Sequence, residues 1–150
     1  MEYKVIKQEE KIVAGIEART NNFSEDVYKV IGGLWEKFYS ETYNKIENKV
    51  NRRSLGIYTE YENDEKGDYT MITACEVSSS NKNNNDMIIK KIPAGKYAVF
   101  TIRGDVRTEV GKFWQELWKM KLERTFICDY EEYCEGTIED CLINIYIGIK

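Results

Sequence analysis

Ser78-Ser79-Ser80-Asn81-Lys82-Asn83-Asn84-Asn85-Asp86 divides the chain near its middle, and what lies on either side of it decides the fold. The stretch is polar and of low complexity. It cannot bury apolar area and is expected to be an exposed connection. Before it, residues 4–19 alternate apolar and polar positions around an interruption at Glu9-Glu10-Lys11, as a strand or a bulged pair would. Val27, Val30, Ile31, Leu34, Trp35, Phe38 and Tyr39 then recur at helical spacing, behind Ser24 as N-cap and Glu25 and Asp26 in the first turn. Two strands, residues 55–61 and 69–77, are joined by a turn at Asn63-Asp64-Glu65-Lys66-Gly67.

After the connection the order returns. Residues 87–93 and 97–103 are extended, broken at Pro93-Ala94-Gly95. A helix over residues 108–121 carries Val110, Phe113, Trp114, Leu117 and Trp118 on one face. Strands at 125–134 and 141–149 follow, separated by Glu135-Gly136-Thr137, and Tyr130-Glu131-Glu132-Tyr133 echoes Tyr58-Thr59-Glu60-Tyr61. The expected fold is α+β: one domain over residues 1–150, built of two pseudo-symmetric βαββ units at about 1–80 and 86–150. Antiparallel sheets, two main helices and a central ligand cleft go with it. Gly32-Gly33 inside the first helix costs roughly 1 kcal/mol per glycine relative to alanine, and close approach to another backbone is the expected reason.

Composition narrows the function. With 42% hydrophobic and 32% charged residues the chain is ordinary for a soluble fold, and no apolar run reaches the roughly 18–20 residues of a membrane span. The N-terminus opens on strand-like sequence, so no signal peptide and a cytoplasmic location are expected. A net charge of −4 with acids and bases interspersed argues against direct nucleic-acid binding. The absence of histidine removes the usual general base and haem ligand, and with Cys75, Cys128, Cys134 and Cys141 outside any CxxC pair, no metal and no cofactor are expected. These thiols are read as reduced strand residues. Residues 60–68 lack the ligand order of a calcium loop and read as a solvated hairpin end, and Arg52-Arg53 as loop charge. The unusual feature is eleven tyrosines, side chains that offer an apolar face and a hydroxyl together.

The ordered series Gly33-Leu34-Trp35-Glu36-Lys37-Phe38, Leu55-Gly56-Ile57-Tyr58, Ile92-Pro93-Ala94-Gly95-Lys96-Tyr97-Ala98-Val99-Phe100, Phe113-Trp114-Gln115-Glu116-Leu117-Trp118 and Asp129-Tyr130-Glu131-Glu132-Tyr133 resembles the GyrI-like family. That family includes effector-binding domains of AraC-type and multidrug-responsive MerR-type transcription regulators. The resemblance runs nearly end to end, to Asn144-Ile145-Tyr146-Ile147-Gly148-Ile149. It implies a paired βαββ fold whose central cleft binds drug-like, often cationic or amphipathic molecules between aromatic walls and an acidic residue. The family's acidic position matches Glu131 and its helix tryptophan Trp114. The resemblance also implies an effector module without a helix-turn-helix domain, and leaves a regulator or gyrase-like protein partner open.

The candidate ligand-binding residues are Glu131, Trp114, Tyr133, Tyr58, Tyr69, Tyr146 and Trp35, the last by pseudo-symmetry with Trp114. Strand alternation places Asp129, Glu131 and Tyr133 on one face and Tyr130 and Glu132 on the other, with Glu132 a substitute for Glu131. A carboxylate in an apolar wall either has a raised pKa or awaits a cation. Trp118 is assigned to plain core packing. The alternative function is a cofactor-free hydrolase of small electrophiles, with Glu131 directing water and a tyrosine such as Tyr146 polarising the electrophile.

Overall fold

A computed structural model describes residues 1–79 and 86–150; residues 80–85, most of the polar connection, lie outside the described residues. The elements are β1 (Lys4–Gln8), β2 (Lys11–Thr20), α1 (Val27–Lys37), β3 (Ser54–Thr59), β4 (Tyr69–Val77), β5 (Ile88–Ile92), β6 (Gly95–Gly104), α2 (Val106–Trp118), β7 (Arg124–Gly136) and β8 (Cys141–Ile149). A π turn at Phe38–Thr42 and a 3-10 turn at Tyr43–Lys45 extend α1. The fold is α+β, as expected. Its strands form one antiparallel sheet in the order β1-β6-β8-β7-β3-β4-β2-β5.

That order is its own mirror once β1 is matched with β5, β2 with β6, β3 with β7 and β4 with β8. The two βαββ units therefore join edge to edge where β3 pairs with β7. Each unit's short leading strand is exchanged: β1 pairs with β6 and β5 pairs with β2. In a flat sheet β1 and β2 would stand six strands apart, about 29 Å at the usual ~4.8 Å spacing. Glu9 and Glu10, the only residues between them, span about 11 Å at most. The sheet must curl until its edges meet, and Pro93-Ala94 between β5 and β6 imposes the same closure. A core of Val13, Leu55, Ile57, Ile72, Ile92, Tyr97 and Tyr130, joined by Ile6 and Tyr146, draws on all eight strands, as the inside of a curled sheet allows.

The outer face carries the helices. Leu34 and Phe38 pack on β2 and β4, and Phe113 and Leu117 pack on β6 and β8. Asp26 rather than Ser24 is the N-cap residue of α1, and the Ser24 hydroxyl bonds the Asp26 carboxylate. Asp105 caps α2 by accepting from the Arg107 backbone N–H. Among the described residues Gly32 and Gly33 approach no other backbone: a β-carbon on either would meet nothing within 4 Å, which overturns the expected reason for them. Among the described residues no helix is long and apolar enough to cross a membrane.

Candidate functional site

Between the two helices, over β3 and β7, lies a cleft of about 530 Å³. Its floor is the pseudo-twofold axis. Tyr58 pairs with Met71, the third residue of β4, and Tyr133 with Ile143, the third of β8. Gly56 pairs with Thr73, the fifth of β4, and Glu131 with Ile145, the fifth of β8. The two tyrosines are thus symmetry mates. Gly56 and Glu131 are mates that also face each other across the β3–β7 ladder. One glutamate occupies the axis, and the glycine opposite makes room: a β-carbon at Gly56 would lie 3.0 Å from Glu131 Oε1 and 3.0 Å from Trp35 Cζ2.

Glu131 is 1% exposed. The Tyr133 hydroxyl donates to its Oε1 at 2.7 Å; the Tyr58 hydroxyl and the Trp114 indole N–H donate to Oε2 at 3.0 and 2.8 Å. An ionised carboxylate accepts from all three donors at once. Burial raises the Glu131 pKa above its ordinary 4.5, although the bonds from Tyr133, Trp114 and Tyr58 oppose the rise. Burial, with the charge of Glu131 next, pushes the Tyr58 and Tyr133 hydroxyls well above 10, so both are neutral donors. Tyr69, hydrogen-bonded to Asn22 Oδ1 at 2.7 Å, is pushed up to about 12, mainly by burial.

The aromatic walls cross between halves. Trp35 of α1 meets the Tyr133 ring edge-on with centroids 5.3 Å apart, and Trp114 of α2 meets Tyr58 at 5.2 Å. Trp35 also stacks on Tyr39. Beside Glu131, Asp129 is fully buried and accepts from Arg124 at 2.8 Å, Tyr61 at 2.6 Å and the Gly148 backbone N–H at 2.9 Å. Arg124 pairs with Asp129 through one Nη, and its Nε is buried without a hydrogen-bond partner among the described residues. Among the described residues no ion pair reaches Glu131, whereas Asp129 is paired with Arg124.

Of the residues singled out in the sequence, Glu131, Trp114, Tyr133, Tyr58, Tyr69 and Trp35 line this cleft. Tyr146 does not. It pairs with Tyr130 across the β7–β8 ladder, stacks on that ring at 4.3 Å and donates to Glu132 at 3.1 Å, all on the inner face. Glu132, which also pairs with Arg53 at 3.3 Å, is on that face too, so neither residue reaches Glu131's ligand side. Arg53 is thus more than loop charge. Trp118, assigned to the core, is 44% exposed and lines the cleft.

Sequence reasoning missed Tyr61, Arg124, Tyr28 and Gly111, which also line the cleft. Glu60 has φ 51°, and this left-handed residue after β3 returns Tyr61 to the side of Tyr58 against simple alternation. Phe126 at φ 54° interrupts the register of β7, and the Arg124 guanidinium lies over its ring at 4.2 Å. Nothing in the sequence marks a left-handed phenylalanine.

The Cass2 family, described as integron-associated effector binding proteins, matches residues 4–149 of the chain. A Bacillus subtilis (strain 168) protein, "Putative transcriptional regulator protein YobU", is 28% identical over 153 residues, 93% of this chain and 92% of that protein. The crystal structure of an integron cassette protein from the mobile metagenome of Vibrio cholerae superposes with a TM-score of 0.79 at 26% identity, covering 99% of this chain and 95% of that one. SAV2435, solved bound to tetraphenylphosphonium, superposes with a TM-score of 0.83 at 19% identity, covering 100% and 94%. This last likeness is one of fold.

Proposed function

The chain belongs to the Cass2 family of integron-associated effector binding proteins, and on that premise we propose that its cleft binds a lipophilic aromatic monocation, with Glu131 as counter-ion. One observation carries the reading: Glu131 is buried at the cleft floor, held by three neutral donors and, among the described residues, by no cation. A buried carboxylate without a counter-charge is costly, such perturbed groups cluster at functional sites, and a cationic ligand would supply the missing charge. The rings of Trp35, Trp114, Tyr58, Tyr69 and Tyr133 offer apolar area and π faces that attract a desolvated cation by about 0.5–2 kcal/mol each. The cleft volume lies within the roughly 300–1,000 Å³ usual for small-molecule sites. Tetraphenylphosphonium, the ligand of the SAV2435 structure, has the chemistry this site calls for and serves as a probe.

The likeness to the "Putative transcriptional regulator protein YobU" supports a sensing role, in which ligand binding is passed on to transcription. The test is a calorimetric titration of the wild type and Glu131→Gln with tetraphenylphosphonium and with neutral triphenylphosphine oxide. The cation binds the wild type, and Glu131→Gln weakens it at least tenfold while leaving the neutral compound nearly unaffected. Equal affinities of wild type and variant for the cation would remove Glu131 from the site.

A further inference from the structure

The helices α1 and α2 align residue for residue from their first positions: the sixth is Gly32 in one and Gly111 in the other, and the ninth is Trp35 and Trp114. Both glycines line the cleft. Each lies one helical turn before its tryptophan, on the same helix face. Among the described residues a β-carbon built on either would meet no atom within 4 Å, so neither helix needs a glycine there in order to pack. Glycine is among the poorest residues for a helix interior, and its presence at two symmetry-matched positions calls for a cause. The space that the missing side chains leave belongs to the cleft. Gly33 supplies a natural comparison: its β-carbon would also be unobstructed, but it is not among the cleft-lining residues.

We infer that Gly32 and Gly111 set the size class of the ligand, because side chains there would fill the slot between the helices. The bare helix backbones at these positions are contact surface for rings standing upright between α1 and α2. The class admitted is the bulky, non-planar polyaryl cation, which fills the slot and reaches Glu131 with its charge. Slim cations reach Glu131 without using the slot. This rests on the cation-binding reading of the cleft and adds to it the residues that select by shape.

The experiment compares the wild type with Gly33→Ala, the pair Gly32→Ala/Gly111→Ala and the pair Gly32→Leu/Gly111→Leu. Thermal midpoints are read without ligand, and dissociation constants are read by calorimetry for tetraphenylphosphonium and for the slim phenyltrimethylammonium. Each alanine is expected to raise the midpoint by about 2–4 °C, since it improves helix propensity and displaces nothing. Gly33→Ala leaves both affinities unchanged. The leucine pair weakens tetraphenylphosphonium by roughly thirtyfold or more and phenyltrimethylammonium by less than about threefold, because only the former occupies the slot. The alanine pair weakens the bulky probe selectively by a smaller factor, and decides the matter if the leucine pair does not fold. A leucine pair that binds tetraphenylphosphonium like the wild type overturns the inference while leaving the cation reading standing. Equal loss for both probes, or an alanine pair that lowers the midpoint, overturns it too. A wild type that binds neither probe overturns the cation reading, and the inference with it.

Discussion

Replacing Glu131 by glutamine is expected to stabilise the empty protein and to disable the occupied one. Glutamine keeps the shape and the hydrogen bonds. Its carbonyl can take the place of Oε2, accepting from Tyr58 and from Trp114, whose indole can only donate. Its amide then donates to the Tyr133 oxygen, whose hydroxyl is free to turn. What is lost is a buried charge. Desolvating a carboxylate costs several kcal/mol after relaxation, and hydrogen bonds to a charged group return about 1.5–3 kcal/mol each. The raised pKa of Glu131 says that the balance falls against the charge. Below the ordinary value of 4.5 Glu131 is neutral folded and unfolded, and the variant gains nothing. As pH rises through the window between 4.5 and the raised folded pKa, the wild type loses stability because its native state holds the extra proton, and the variant does not. At pH 8 the variant should therefore have the higher thermal midpoint. The ligand reverses the order. A cation centred about 6 Å from the carboxylate, at an effective dielectric constant of about 20, gains about 3 kcal/mol, so its affinity for the variant should fall about a hundredfold. Differential scanning fluorimetry from pH 4 to pH 8, with and without tetraphenylphosphonium, reads both effects. A variant less stable than the wild type at pH 8 without ligand would refute the claim that the charge is held at a cost for a ligand's sake.

Three further substitutions probe the site from different sides. Gly56→Ala should cost about 1–3 kcal/mol in urea denaturation and weaken the cation. Its methyl group meets Glu131 Oε1 and Trp35 Cζ2 at 3.0 Å and Met71 Cε at 3.2 Å, with both walls already packed. Cation affinity should rise with pH as Glu131 ionises, and in Trp114→Phe the midpoint of that rise should move further up, since an indole donor that favours the ionised form is gone; dissociation constants measured across pH check this. Tyr146→Phe should leave cation affinity unchanged within about twofold, because its hydroxyl bonds Glu132 on the inner face; a loss of tenfold or more would place it back among the ligand's contacts.

Much of the fold was legible because periodicity is a direct imprint of packing. The helical recurrence from Val27 onward and the run from Cys141 to Ile149 follow from one buried face each, and the same alternation placed Glu131 with Tyr133 and apart from Tyr130. The exchange of β1 and β5 was not legible, since nothing in a five-residue strand names its partner. Tyr146 was misplaced for a related reason. Its own strand alternates plainly, but the face it shows is fixed by register against Tyr130, which no local signal sets. Tyr61 and Arg124 were hidden behind the left-handed backbone at Glu60 and Phe126. The meaning of Gly32 was inverted: a helix glycine suggests close packing, and only the empty space around it shows that it faces a cleft.

The central claim is that the cleft floor supplies the counter-charge for an aromatic cation. Crystals grown with tetraphenylarsonium test it most directly, because the anomalous signal of arsenic marks the cationic centre itself. The arsenic is expected inside the cleft, above Glu131 and within about 6 Å of an indole or phenol ring centroid of Trp35, Trp114, Tyr58 or Tyr133. An arsenic site on the outer surface, or an empty cleft at a saturating concentration of the cation, would contradict it.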